Sequence, residues 1–168
     1  NLTLSDPYIT FTDNSEAYPT IPSQTTVTVD NGFKVHIANN VPDGYTKMVT
    51  ATATNGTDTW TSYFDLTCRA PELVAGTMTI DDSQGGNGNG RLDPGESAVI
   101  RITTLNTGLS AAPDVNTTLS VSSGLLTLGN NTFNLGTVNP LGSPVAEFNV
   151  SVSTLAPPGV SINLDFTA

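Results

Sequence analysis

The sequence predicts an all-β fold made of antiparallel β-sandwich repeats. Three observations carry that expectation. No window of eleven or more residues keeps apolar side chains at i, i+3, i+4 and i+7 without Gly, Pro or β-branched interruptions, so helical periodicity is absent. Short stretches rich in Thr, Val, Ile and aromatics are punctuated by turn residues roughly every 8–12 positions, the spacing of a sandwich or barrel. The first 53 residues also echo the last 53.

The elements follow in chain order. Strands are expected at roughly 2–5, 8–12 and 25–30. The next is Phe33-Lys-Val35-His-Ile37, where apolar side chains alternate with Lys34 and His36 as in a half-buried strand. Residues 45–54 lead into a strand with Trp60, Ser62, Phe64 and Leu66 on one face and Thr61, Tyr63 and Asp65 on the other; the shared apolar face predicts a core Trp60. Further strands are expected near 71–80, 98–106, 115–121, 131–135, 148–152 and 160–167. Asp30-Asn-Gly32, Pro42-Asp-Gly44, Asn55-Gly56, Ser123-Gly124, Gly129-Asn130 and Pro157-Pro-Gly159 mark turns between them.

The echo is an ungapped match at a shift of 115. Asn1–Ser5 falls on Asn116–Ser120, Tyr18 on Phe133, and Phe33, Val35 and Ile37 on Phe148, Val150 and Val152. Pro42 and Gly44 fall on Pro157 and Gly159. The predicted organisation is therefore the latter part of a first sandwich repeat at residues 1–70 and a second repeat at 71–168. The second would lack an equivalent of the Trp60–Leu66 strand. Half a sandwich exposes sheet edges, so either neighbouring parts of the parent chain pack on it or copies share strands in a homo-oligomer. Asn1 is not an initiator Met, and the chain is expected to be part of a longer one.

Composition excludes several functions. Five Lys and Arg stand against fifteen Asp and Glu in 168 residues, a formal net charge of −10. So few cations cannot neutralise a phosphate backbone or hold an anionic lipid surface; no nucleic acid and no membrane insertion are expected. No apolar run approaches the ~20 residues that span a bilayer. A single cysteine, Cys68, allows no intrachain disulfide, and it reads as a small apolar strand residue. The only histidine, His36, sits on the polar face of its strand and lacks the partners of a catalytic triad. Asp6, Asp13 and Glu16 lie among turn residues and read as solubilising charges.

One stretch carries specific chemistry. Residues 81–96 read Asp-Asp-Ser-Gln-Gly-Gly-Asn-Gly-Asn-Gly-Arg-Leu-Asp-Pro-Gly-Glu. Calcium takes six to eight oxygen ligands, and a short loop supplies them when every second residue faces inward. Asn87, Asn89, Arg91 and Asp93 have that spacing, Arg91 through its backbone carbonyl. Glu96 returns a carboxylate from the next strand, and Asp81 or Asp82 closes the shell from the previous one. Gly86, Gly88 and Gly90 are expected to supply positive φ angles. Magnesium fits less well because it demands a strict octahedron, and zinc lacks Cys or His here. The alternative is a solvated Gly/Asn hairpin without metal.

With those residues in view, Gly-Asn-Gly-Asn-Gly-Arg-Leu-Asp-Pro-Gly-Glu of 86–96, followed by a strand ending in Leu105-Asn-Thr-Gly108, resembles repeats of secreted Bacteroidetes proteins. These are CARDB-like, immunoglobulin-like adhesion modules that commonly follow the catalytic domain of gingipain-type cysteine peptidases and other extracellular hydrolases. The Pro-Asp-Gly turn at 42–44 and the Trp60 strand resemble the end of such a repeat. The resemblance implies immunoglobulin-like sandwiches, a structural calcium in the 81–96 loop, an extracellular or cell-surface location and an accessory role. It implies no peptidase site in this chain. A glycan- or matrix-binding module is the rival reading, with Tyr8, Tyr18, Tyr45, Trp60 and Tyr63 as candidate aromatics and Tyr63 the best exposed.

Overall fold

The computed structural model describes residues 1–168, all twelve regular elements of which are strands. The chain divides into two compact units, Asn1–Ala70 and Pro71–Ala168.

In the second unit, β6 (Leu73–Asp81), β7 (Ser97–Asn106), β8 (Ala112–Val121), β9 (Leu126–Leu128), β10 (Thr132–Val138), β11 (Val145–Val152) and β12 (Leu164–Thr167) form two antiparallel sheets. One has the order β6-β7-β11-β9 and the other β10-β8-β12. Strict alternation builds the space between them. In β7, Ala98, Ile100, Ile102 and Thr104 point inward, and in β11, Ala146, Phe148, Val150 and Val152 do so. Leu119 of β8 and Leu126 of β9 join them, with Phe133, Leu135, Leu164 and Phe166 packed from the second sheet. Phe148 and Phe166 meet edge to face at 6.2 Å between centroids, the arrangement favoured by the ring quadrupoles. This is a sandwich-like arrangement with its main apolar interior between the two sheets and a smaller cluster of Ala112, Val115 and Val138 beside it.

Asn106 closes one end of this core. It is 1% exposed, and its amide nitrogen donates to the carbonyls of Ser110 (2.8 Å) and Val138 (3.0 Å). Its side-chain oxygen accepts from the amides of Gly108 and Glu72, both at 3.1 Å. All four bonds of one buried amide are thereby made, and they tie β7 to the start of β6 and the end of β10.

In the first unit, β1 (Leu2–Thr3), β4 (Thr46–Thr54) and β5 (Thr59–Thr67) form a sheet in the order β1-β4-β5. β2 (Ile9–Asp13) and β3 (Lys34–Ile37) form a separate ladder. Ile9, Val41, Cys68 and Ala70 make a small core with Leu4, Tyr8, Ile37, Tyr45 and Leu66 around it.

Several expectations change. Residues 25–30 form no strand: Thr25 turns back through its amide and hydroxyl onto the carbonyl of Pro22, and no neighbouring strand pairs with this stretch. β9 was not expected at all. Trp60 is 56% exposed rather than buried. Its strand has a partner on one side only, and no opposing strand of this unit covers its apolar face.

The strand pairings of the two units correspond. β3 pairs β2 through Val35↔Phe11 and Ile37↔Ile9, as β11 pairs β9 through Val150↔Leu128 and Val152↔Leu126. β4 pairs β1 through Ala51↔Leu2, as β12 pairs β8 through Phe166↔Leu119. For β3 and β4 the shift is the expected 115. For β1 and β2 the ladders place it at 117, so Asn1 corresponds to Thr118 rather than Asn116. The two extra residues lie between β2 and β3, where the first unit has no strand matching β10.

Candidate functional site: the loop between β6 and β7

The acidic Gly/Asn loop joins the end of β6 to the start of β7. Its scaffold is a set of carboxylates that accept backbone hydrogen bonds. Asp82, 2% exposed, accepts the amides of Asn89 and Gly90 on its two oxygens, both at 3.0 Å. Its carbonyl accepts the amides of Gly86 (2.7 Å) and Gly85 (3.3 Å). Glu96 reaches back to accept the amides of Asn87 (3.0 Å) and Asp93 (3.2 Å). Leu92 packs against the sandwich core and anchors the outgoing limb. Gly86 is required by space: a Cβ there would stand 2.9 Å from both the Asp82 Cβ and the Glu96 carboxyl. It lacks the positive φ expected of it; Gly88 and Gly90 have it, at 75° and 73°.

Inside that frame three side chains converge. The amide nitrogens of Asn87 and Asn89 both donate to one oxygen of Asp93, at 2.9 and 2.8 Å. The oxygens of the two Asn accept the amides of Asn89 (3.1 Å) and Arg91 (2.8 Å), two residues on in each case, as in Asx turns. The two amide donors hold the Asp93 carboxyl below its ordinary range, outweighing the opposing effect of burial. A carboxylate already gathering two N–H dipoles is a place where positive charge is favoured. A hard cation there would replace the two amide nitrogens by the amide oxygens carried on the same carbons, giving an all-oxygen donor set. The residues present therefore fit calcium chemically, although no three His, Cys, Asp or Glu residues lie together in the manner of a ready-made metal cage.

The candidate residues thus separate. Asn87, Asn89 and Asp93 come together, with the Arg91 backbone beside them. Asp82 and Glu96 are brought to the loop but spend their oxygens on its amides. Asp81 points elsewhere: it accepts from Ser83 (2.6 Å to the hydroxyl) and pairs with Arg101 at 2.6 Å, and these partners hold its pKa down at about 2. Arg101 also reaches Glu147 at 2.8 Å, linking β6, β7 and β11 across the outer face of their sheet.

A second polar cluster sits in the first unit. Asp6, expected as a surface charge, has a side chain with no solvent exposure. It accepts the Tyr45 hydroxyl at 2.5 Å and the amides of Tyr8 (2.9 Å) and Ile9 (3.2 Å), with Lys47 at 3.6 Å. Burial pushes its pKa up, but these donors outweigh it and the net shift is downward. The sequence signal was Asp-Pro, a turn opener whose carboxylate caps the amides two and three residues on. The long reach to Tyr45 has no sequence signature. His36 lies in β3 with an exposed side chain, and Cys68 is buried in the small core.

Compared with protein-family models, curated proteins and solved structures, the chain matches none. No helix of the structure is long and apolar enough to cross a membrane.

Proposed function

We propose that this chain is a non-catalytic, calcium-stiffened accessory or spacer module of a larger secreted or cell-surface bacterial protein, built on immunoglobulin-like sandwich repeats. The observation that carries the reading is the convergence of Asn87 and Asn89 on Asp93 within a loop clamped by Asp82 and Glu96. In this reading Asn87, Asn89, Asp93 and the Arg91 carbonyl hold calcium, and Asp82 and Glu96 hold the loop that presents them. Two neutral ligands among the side chains suit the moderate affinity of modules working in calcium-rich extracellular fluid. The motif resemblance to repeats beside gingipain-type peptidases agrees with such a place in a parent protein.

The physical role is to join the end of β6 to the start of β7 more tightly than hydrogen bonds alone. Calcium at 100 times its dissociation constant adds about 2.7 kcal/mol to the unit that binds it. Thermal melts with calcium and with EGTA test this directly. The second unit is expected to melt higher with calcium, and the variant Asp93→Ala to lose the difference.

A glycan- or matrix-binding role is the second reading, favoured by Trp60 at 56% and Tyr63 at 61% exposure on β5. It predicts saturable binding on a glycan array that Tyr63→Ala or Trp60→Ala abolishes. Retention of binding by both variants would remove it.

A further inference from the structure

The sheets of the molecule are open, and all but one of their edges are short or broken. β1 has two residues, β9 three and β12 four. The ladders of β2 with β3, of β6 with β7 and of β10 with β8 carry register shifts, between Phe11 and Asp13, between Ala75 and Met78, and on both sides of Gly136. Short and bulged edges are poor templates for another strand. β5 has neither feature. Its nine residues pair with β4 without a break, from Thr46↔Thr67 to Thr54↔Thr59, and no strand pairs with its other side. Thr-Trp-Thr-Ser-Tyr-Phe-Asp-Leu-Thr holds no Lys, Arg, Pro or Gly, and its one charge is Asp65.

The groups offered at that edge follow from the ladder. Cys68 donates its amide to the Tyr45 carbonyl, and Asn55 donates to the Asp58 carbonyl. These two bonds bracket the pairing of β4 with β5 and set its phase, so Trp60, Ser62, Phe64 and Leu66 bond to β4. The amides and carbonyls of Thr59, Thr61, Tyr63, Asp65 and Thr67 therefore point to the open side.

We propose that the β5 edge is a self-association site whose occupant is β5 of a second copy, antiparallel across a two-fold axis at Ser62. In this register the strand is complementary to itself. Outward-bonding residues must face outward-bonding residues, so Thr61 pairs with Tyr63 of the second copy and Thr59 with Asp65 of the second copy. Trp60 then stands opposite Phe64 of the second copy, and Phe64 opposite Trp60. Both are non-hydrogen-bonded pairs, where side chains approach most closely, and all four rings start from exposed positions. Moving the axis by one residue, to Thr61 or Tyr63, sets Trp60 against Ser62 or Leu66 and loses both aromatic pairs. Charge agrees with the register. Each Asp65 lies against Thr59, six positions and about 20 Å along the strand from the other Asp65. A strand with a single charge cannot select a charged peptide by electrostatics, whereas its own copy supplies both aromatic pairs. The product is one continuous sheet with β1-β4-β5 from each copy, closed by the two-fold axis. The inference uses the first unit alone and does not depend on calcium.

Sedimentation velocity of the full chain between about 1 and 100 μM, the range of the weaker specific interfaces, tests this. A monomer–dimer equilibrium is expected, the same in calcium and in EGTA. Emission of the single tryptophan, Trp60, should move to longer wavelength as the dimer is diluted. Thr61→Pro removes an outward amide and spares the ladder with β4, and it should weaken the dimer at least about tenfold. Tyr63→Lys, the kind of charge that guards natural edges, should do the same and keeps the test valid if the proline variant misfolds. Ser62→Cys should form a disulfide between copies under mild oxidation, because the axis sets the two Cα atoms about 4.5 Å apart, and Asp65→Cys should not. Cys68 is buried and does not compete. A monomer at every concentration would overturn the proposal, as would a dimer that both edge variants leave unchanged. Growth beyond the dimer, or cross-linking through Asp65→Cys in place of Ser62→Cys, would overturn it as well.

Discussion

The two units share a pairing plan but differ in what faces their sheets. Phe148 of β11 is fully buried, whereas Phe33, at the corresponding place before β3, is only half-buried. Val150 is 3% exposed and Val35 is 44%. The two places carry the same apolar alternation, Phe-x-Val-x-Ile and Phe-x-Val-x-Val, so the difference comes from the neighbours. β11 lies between β7 and β9, while β3 has β2 alone. An amphipathic strand specifies which face is to be buried, and only the rest of the sheet decides whether it is.

The largest expected effect separates the units at these paired positions. Phe148→Ala should cost about 3–5 kcal/mol, the range for a large aromatic removed from a closed core. Phe33→Ala should cost about 1–2 kcal/mol, because less apolar surface leaves water there. Urea unfolding can follow both, since the chain's one tryptophan, Trp60, reports on the first unit and amide NMR signals of β7 and β11 on the second. Equal costs would mean that the first unit is as well packed as the second.

Asn106 offers the next contrast, because the first unit has no buried amide of this kind. Asn106→Ala strands the amides of Glu72 and Gly108 and two carbonyls, with an expected loss of about 2–4 kcal/mol confined to the second unit. Loss of the Trp60 transition as well would show that the units unfold as one.

Acid should act on the units through different carboxylates, Asp6 in the first and Asp81 in the second. Both have folded-state pKa values below their ordinary value. Each therefore contributes stability that is complete above the unfolded pKa near 3.8 and is lost as the pH falls through the folded value, about 2 for Asp81. Asp81→Asn should flatten the acid limb of the second unit between roughly pH 4 and 2 and leave the Trp60 signal unchanged. Asp6→Asn should do the reverse. A single acid transition common to both variants would break the assignment.

Strand class, turn chemistry and the face of each strand were legible in the sequence because a period of two marks them directly. The register was not. A slip of two residues keeps every side chain on its own face, so an ungapped shift of 115 looked right for β1 and β2 when the ladders lie at 117. A slip of one would have betrayed itself. Trp60 differs from expectation for a related reason: the strand's alternation marks its apolar face, but whether anything covers a face is not written in the strand. Within the loop, the alternation of Asn87, Asn89 and Asp93 was readable as spacing. The division between side chains that converge and those that clamp was not, because Asp82 and Glu96 are committed by backbone amides brought to them through the fold. Asp81 is drawn away by Arg101, twenty residues along the chain, a contact that depends on the pairing of β6 with β7.

The central claim is that the 82–96 loop takes calcium on Asn87, Asn89 and Asp93. Calorimetric titration of the EGTA-dialysed chain with calcium, beside the Asp93→Ala variant, tests it most directly. The predicted result is one saturable binding event in the parent chain and none in the variant. An absence of calcium heat in the parent chain, with a melting temperature unchanged by EGTA, would contradict it.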